Sequence, residues 1–285
     1  MKVRVPASSA NLGPGYDTLG LALSLYMTVE IREAEALTIV ARGEGSGLPI
    51  DENHLAVSVA RSVVGNTNLA ITIDSEIPLA RGLGSSAALA VAVAAAAGAY
   101  DAFVVASDVD GHCENAGASY LGGLVAGARV EDGWEVVSLP LDPRLSAVVI
   151  VPETELSTKD ARAAVPRAIP TEDAVFNLQR MAMLLAGLAD LDRLIPEWGE
   201  DRIHEAAREQ VFPLARTLKE LMLEAGARIA TWSGAGSSVI GIFDRDEASE
   251  RAGAIGGLLT EAGIAARPLP LEVDREGLVV MDDAP

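Results

Sequence analysis

The sequence predicts a protein of mixed strands and helices arranged in two domains, with the boundary near residue 145. Three observations lead there. The chain has 285 residues, long for one domain and comfortable for two. Up to residue 145 it reads as strands with two helices, His54–Val64 and an Ala-rich one after Gly82, and beyond Val151-Pro152 it changes to long amphipathic helices. Finally, 49% of the residues are apolar and 22% charged, the balance of a folded chain with a large core. Aromatic residues make up only 4%, so that core must be built from Ala, Val, Leu and Ile.

Val3 and Val5 alternate with polar neighbours and predict the first strand. The turn-rich segment Ala7–Gly15 follows, then an apolar run over Leu19–Leu25. Thr28–Arg32 alternates again as a strand, with Leu37–Ala41 expected as its hairpin partner. Gly43–Gly47 is a flexible loop. His54–Val64 puts Leu55, Val59 and Val63 on one helical face, and Leu69–Ile77 alternates as a strand. Gly82–Ser86 opens the Ala-rich helix, which runs to about Tyr100. Leu121–Gly127 is expected as a core strand or tight turn, and Trp134–Leu139 and Ser146–Val151 as strands. In the second half the pattern predicts helices over Thr171–Leu188, Asp201–Val211 and Leu214–Ala225. Thr171 is expected to cap the first, with Glu172 and Asp173 in its first turn. Strands over Ala227–Trp232 and Val239–Phe243 flank a Gly-rich turn. No internal repeat or low-complexity tract is evident.

The formal net charge is −19. Nucleic-acid binders and proteins that bind anionic membranes concentrate Lys and Arg, so neither partner is expected. The same field sets a problem for an anionic substrate, which local Arg, backbone N–H groups or a metal must overcome. A single cysteine, Cys113, rules out an intrachain disulfide and fits a reducing compartment. The N-terminus has no apolar signal-peptide core, and the longest apolar stretch, Ala87–Tyr100, is too short to span a bilayer. The expectation is a soluble, cytoplasmic protein.

The sharpest local signal is Pro78-Leu79-Ala80-Arg81-Gly82-Leu83-Gly84-Ser85-Ser86-Ala87-Ala88. Two glycines let the backbone curl close to a ligand, and the helix that follows offers unpaired N–H groups and the positive end of its dipole. Ser85 and Ser86 can add hydroxyl contacts to phosphate or to Mg²⁺. The chain lacks the Gly-x-x-x-x-Gly-Lys of a Walker loop. Gly82-x-Gly84-x-x-Ala87 meets the dinucleotide fingerprint only formally: Pro78–Arg81 separates it from the preceding strand, and no acid-tipped strand follows about twenty residues on. The bland alternative is a glycine-rich helix start with no ligand.

The whole string resembles the second motif of the GHMP kinases (galactokinase, homoserine kinase, mevalonate kinase, phosphomevalonate kinase) and matches it at every fixed position. Pro6–Gly20 resembles the first motif of the homoserine kinases, with Tyr16 where Phe is usual. Gly111–Ala116 resembles their His-x-Asp-Asn segment, with Glu114 in place of Asp and Cys113 where Pro is often found. Ser157–Arg162 resembles Ser-Thr-Lys-x-Ala-Arg, and Asp201–Arg208 resembles Asp-x-x-His-x-x-x-Arg. Asp173–Leu178 is also similar. Ser233–Ser238 resembles the third GHMP motif, with Ser237 where Pro is common.

The resemblance implies a two-domain α+β GHMP kinase fold. A ribosomal-protein-S5-like ATP-binding domain is expected over 1–145, and a ferredoxin-like α+β domain over 146–285. It implies ATP-dependent phosphorylation of the L-homoserine side-chain hydroxyl, a step of threonine biosynthesis. Residues Pro78–Ala88 would bind ATP, and Ser86 with Asp110, or Asp108 in another register, would bind Mg²⁺, with Asp standing where the family usually has Glu. Asn11, Asp17, His112, Glu114, Asn115, Arg162 and Arg208 would contact homoserine, with Asn11, Arg162 and Arg208 as the catalytic set. The chemistry agrees: a carboxylate binds an ammonium, an amide orients a hydroxyl, and the planar Arg fork pairs with carboxylate or phosphate. No dedicated base is implied, so positioning is expected to dominate. The resemblance also allows a homodimer.

Two other functions compete. One is a GHMP kinase for another small alcohol such as mevalonate, which the set Asn11, Asp17, Arg162 and Arg208 discriminates because such acceptors lack the amino group. The other is a non-catalytic nucleotide-binding homologue, suggested by the departures at Asp110, Cys113, Glu114 and Ser237. Mg²⁺-dependent binding of a fluorescent ATP analogue tests it.

Overall fold

The structure, a computed structural model, describes residues 1–49, 51–65 and 68–281. It opens with a long antiparallel pair, β1 (Lys2–Ala10) and β2 (Leu19–Glu33), whose register shifts between Pro6 and Ala7. Pro6 has no N–H to give the ladder, which accounts for the irregularity there. Then come β3 (Thr38–Gly43), α1 (Leu55–Val64), β4 (Leu69–Ser75) and the buried helix α2 (Ser85–Ala96). Helices α3 (Ala102–Asp110) and α4 (Glu114–Leu121) lead into the hairpin β5 (Leu124–Val130) and β6 (Gly133–Leu139). These strands form one sheet, ordered β1-β2-β4-β3, with β5 on the Leu19–Leu21 end of β2.

The second sheet begins with β7 (Leu145–Pro152). It is followed by α5 (Thr158–Ala164), α6 (Thr171–Ala189), α7 (Glu205–Val211) and α8 (Leu214–Glu224). Strands β8 (Ile229–Trp232) and β9 (Val239–Asp244), helix α9 (Ala248–Glu261) and strand β10 (Ala266–Glu272) complete an antiparallel sheet of order β10-β7-β9-β8. The short β11 (Val279–Met281) crosses back to pair with β1 in the first sheet. Residues 282–285 of the expected second domain lie outside the described residues.

Burial explains why these runs read as they do. Every residue of β7 is buried. Ala147 and Val149 face a core continuous with the first sheet, while Val148 and Ile150 face a second core against α8 and α9. Helix α2 packs on β1 and β2 and against α1, α3 and α4. It is apolar on all sides, as a helix in that position must be, and its Ala side chains allow the close approach.

Three expectations need correction. Leu37–Ala41 is not the hairpin partner of Thr28–Arg32. Val29 already pairs with Val3 on one side and Ile73 on the other, so both edges of β2 are taken. β3 therefore joins the free edge of β4, in parallel, with Val40 opposite Thr72, and the crossover carries α1. The helix expected from Asp201 starts at Glu205. Asp201 Oδ2 accepts the N–H groups of Ile203, His204 and Glu205 at 3.0, 2.7 and 2.8 Å and holds a turn ahead of the helix. Thr171 is the first residue of its helix, and Pro170 stands at the cap. Helices α3, α4, α5 and α9 and strands β10 and β11 are additional to the elements expected. No helix among the described residues is long and apolar enough to cross a membrane.

Candidate active site

A cleft of about 850 Å³ opens where the loop before α2 meets the turn between β8 and β9. Its floor is the glycine string. Gly82 and Gly84 have φ of +71° and +66°, and a Cβ on either would collide, with the Ser233 carbonyl and with Ser8 Oγ respectively. Gly84 caps α2 and offers no side-chain acceptor, so the first-turn N–H groups are left for a ligand. Pro78–Ala87 line the cleft, but Ala88 is buried in the core beneath it. Arg81 is largely committed to architecture. It donates to the carbonyls of Pro152 (2.9 Å) and Glu153 (2.8 Å) and pairs with Glu155 (3.0 Å), tying the loop to the end of β7.

The three glycine- and serine-rich segments brace one another. Ser233 Oγ lies 2.8 Å from the Gly82 carbonyl and 2.9 Å from Ser9 Oγ. Ser8 Oγ donates to Asn115 Oδ1 at 3.0 Å. Asn11 donates to the Gly234 carbonyl at 2.6 Å and accepts the Asp17 N–H at 3.0 Å. Both ends of its amide are thus engaged in holding the turn and the loop.

At the mouth of α2, Ser86 Oγ donates to Asp110 Oδ1 at 3.1 Å. Burial pushes the Asp110 carboxyl above its usual range, against the opposing pull of His112 and the Ser86 hydrogen bond. Asp108 is turned elsewhere and accepts from Trp134 Nε1 at 2.9 Å. Beyond Asp110, His112 Nδ1 lies 2.9 Å from Glu114 Oε1. Burial lowers the His112 pKa, but the hydrogen bond and charge of Glu114 outweigh that and raise it overall. Glu114 is itself buried and lines the cleft, and among the described residues its Oε2 has no hydrogen-bond partner.

The two arginines differ sharply. Arg162 is half-exposed and forms a bidentate pair with Asp17, at 2.9 and 3.0 Å. Arg208 is 1% exposed. Its Nη1 donates to the Gly234 carbonyl (3.0 Å) and faces His204 Nδ1 (3.1 Å), and its Nε reaches the Ala161 carbonyl (3.4 Å). No carboxylate among the described residues pairs with it, and Nη2 has no partner there. Its Cζ sits 5.2 Å from the centre of the Tyr16 ring. Burial lowers its pKa, though the guanidinium still stays charged. A buried cation without a counter-charge is costly, and this one lines the cleft.

Sequence reasoning did not single out His204, Tyr16 as a ring platform, or the Asn177–Asp201 pair behind them. Asn177 Nδ2 donates to Asp201 Oδ1 at 2.7 Å. The Asp-x-x-His-x-x-x-Arg spacing was the available signal, because it places His four residues before Arg. Lys159 also lines the cleft, exposed and without an ion pair among the described residues. The apolar side chains of Leu48, Leu55, Leu79, Leu89 and Val109 also line the cleft, as do Asn53 and His54. His54 caps α1 by accepting the Ala56 N–H at 3.2 Å.

The chain is similar to known proteins over most of its length. The model of the GHMP kinases N terminal domain matches residues 53–123, and that of the GHMP kinases C terminal region matches residues 181–257. The homoserine kinase of Moorella thermoacetica is 39% identical over 256 residues, covering 84% of this chain and 86% of the relative. That of Desulfitobacterium hafniense is 33% identical over 99% of this chain and 100% of its own length. The crystal structure of homoserine kinase from Cytophaga hutchinsonii superposes with a TM-score of 0.84 at 27% identity, covering 99% of this chain and 97% of that one. The mevalonate kinase of L. major in complex with R-mevalonate shares the fold, with a TM-score of 0.71 at 16% identity and 95% coverage of both chains.

Proposed function

The chain belongs to the homoserine kinases of the GHMP kinase superfamily, and on that premise we propose how its cleft carries out the reaction. The enzyme transfers the γ-phosphate of ATP to the side-chain hydroxyl of L-homoserine, giving O-phospho-L-homoserine and ADP. One observation carries the assignment of the acceptor subsite. Two residues that line the same cleft are Arg208, a buried cation with no carboxylate partner among the described residues, and Glu114, whose buried Oε2 has no hydrogen-bond partner there. A zwitterionic amino acid satisfies both, whereas an acceptor such as mevalonate, with a carboxylate and no ammonium, satisfies only the first.

In this reading the N–H groups at Gly84–Ala87 hold the β- and γ-phosphates, and the apolar side chains of Leu48, Leu79 and Leu89 take the base. Arg208 Nη2 binds the homoserine carboxylate with help from Arg162. Glu114 and Asp17 receive the ammonium, and Asn115, fixed by Ser8, orients the hydroxyl. Asn11 acts as a positioning residue, through Gly234 and Asp17. The hydroxyl oxygen attacks phosphorus as the bond to ADP breaks, and the hydroxyl proton leaves with the phosphoryl oxygens or to water. Such a transfer asks mainly for alignment and charge neutralisation, and no side chain is assigned as a dedicated base. The lone buried Cys113 fits a reducing cytoplasm.

ATP-dependent transfer implies a divalent metal. Ser86 Oγ and Asp110 Oδ1 fit Mg²⁺, because both are hard oxygen donors beside the phosphate loop and Mg²⁺ commonly takes one carboxylate, phosphates and water. When bound, Mg²⁺ supplies neutralisation of the polyphosphate charge. Asp110→Asn is expected to raise the Mg²⁺ concentration for half-maximal rate by about tenfold or more, and an unchanged Mg²⁺ titration would remove Asp110 from the site.

The acceptor assignment is tested by ADP release from MgATP with L-homoserine, mevalonate, L-threonine or no acceptor. Turnover with homoserine alone is expected. Turnover with mevalonate would keep the phosphate site and overturn the zwitterion reading.

A further inference from the structure

We propose that His204 is a positioning residue that aims the Arg208 guanidinium at the acceptor carboxylate without neutralising it. The proposal rests on the reading of Arg208 given above.

His204 is fully buried, at the turn that opens α7, one helical turn before Arg208. Both ring nitrogens are engaged. Nε2 is 2.9 Å from the Gly13 carbonyl, which can only accept, so Nε2 carries the proton. Nδ1 is 3.1 Å from Arg208 Nη1, which can only donate, so Nδ1 is bare. The partners therefore select one neutral tautomer. A second proton would set an imidazolium against a guanidinium in a dry site, and burial already holds the ring below its ordinary pKa. The ring stacks on Tyr16, with centroids 4.9 Å apart, and the Arg208 guanidinium lies over the same tyrosine.

The consequence lies in the kind of acceptor. A long Arg side chain needs fixed partners to hold one direction, and a carboxylate at position 204 would hold it well. That carboxylate would also cancel the charge and compete with the substrate for the same N–H groups. Imidazole nitrogen and the carbonyls of Gly234 and Ala161 are neutral acceptors. Together they occupy Nε and Nη1, leaving Nη2 and the full positive charge for the ligand. The ring is fixed in turn by Gly13, in the segment that carries Tyr16 and Asp17, so the two walls of the acceptor pocket are joined through His204.

Two near-isosteres separate the two nitrogens. His204→Asn keeps an acceptor where Nδ1 stands and gives up the Gly13 bond. His204→Gln can donate to Gly13 and gives up the acceptor. His204→Gln is expected to raise the homoserine KM by about tenfold or more and leave the MgATP KM within about twofold, while His204→Asn recovers most of the loss. Two arms guard against simple misfolding. With 3-aminopropan-1-ol, which keeps ammonium and hydroxyl but lacks the carboxylate, His204→Gln should change kcat/KM by less than about twofold, and in an Arg208→Leu background it should add nothing for homoserine. Equal losses for Asn and Gln, equal losses with both acceptors, or additive losses with Arg208→Leu would each overturn the positioning role. If Arg208→Leu alone impairs homoserine and 3-aminopropan-1-ol equally, the carboxylate reading fails first, and the role of His204 fails with it.

Discussion

Replacing Arg208 with Leu is expected to raise the homoserine KM by roughly a hundredfold and to leave the MgATP KM within about twofold. Removing one partner of a buried, hydrogen-bonded charge pair costs about 3 kcal/mol, and each 1.4 kcal/mol is about tenfold. The loss should fall on homoserine because Arg208 meets the nucleotide loop only through the Gly234 turn, while it lines the cleft with an Nη2 that has no partner among the described residues. The same substitution separates binding from stability. Arg208 is a buried cation with no carboxylate partner among the described residues, and such a charge is a cost to folding. The melting temperature of Arg208→Leu should therefore equal or exceed that of the parent, an instance of stability given up for function. Steady-state kinetics in both substrates, with a thermal melt, checks this. Equal rises in the two KM values, or a large fall in melting temperature, would show that Arg208 is a structural residue.

Gly82→Ala is expected to lower kcat/KM for MgATP by about a hundredfold or more. Two effects add. At φ +71° an L side chain is strained, by roughly 1–2 kcal/mol. The new Cβ would also meet the Ser233 carbonyl, and Gly236 N at 2.9 Å, so the phosphate loop and its bracing turn must part. Gly263→Ala is the control. Its φ is +67° but nothing lies within 4 Å of the added Cβ, so it carries the backbone strain without the collision. It should lose some stability and keep wild-type kinetics. Binding of a fluorescent ATP analogue to both variants reads the effect without acceptor present. Matching affinities for the two variants would mean that loop bracing by Ser233 does not shape the nucleotide site.

Much of the site was legible in contiguous strings, and the reason is local. A phosphate loop is made of backbone, so its glycines must be consecutive or nearly so, and Gly82–Ser86 shows them in order. Strands β1, β4, β6, β7 and β9 were legible for the same reason, since period-two burial is a property of short windows. Partner choice was not. The parallel pairing of β3 with β4 follows from both edges of β2 being taken, which no window around residue 40 can reveal. Asp108 and Asp110 were interchangeable in sequence, yet two residues apart on α3 they point to opposite sides, one to Trp134 and the other to Ser86.

By itself, then, the sequence determined the family, the reaction class and the glycine-serine loop that lines the cleft. Only the tertiary structure decided which charges are left unpaired in it. Arg162 and Arg208 carry the same group in similar motif contexts, but Asp17 reaches Arg162 across 145 residues of chain, while among the described residues Arg208 meets only neutral acceptors. Charge pairing depends on distances of a few ångströms between residues remote in sequence. The free energy that makes a site grip its ligand therefore appears only once the chain has folded.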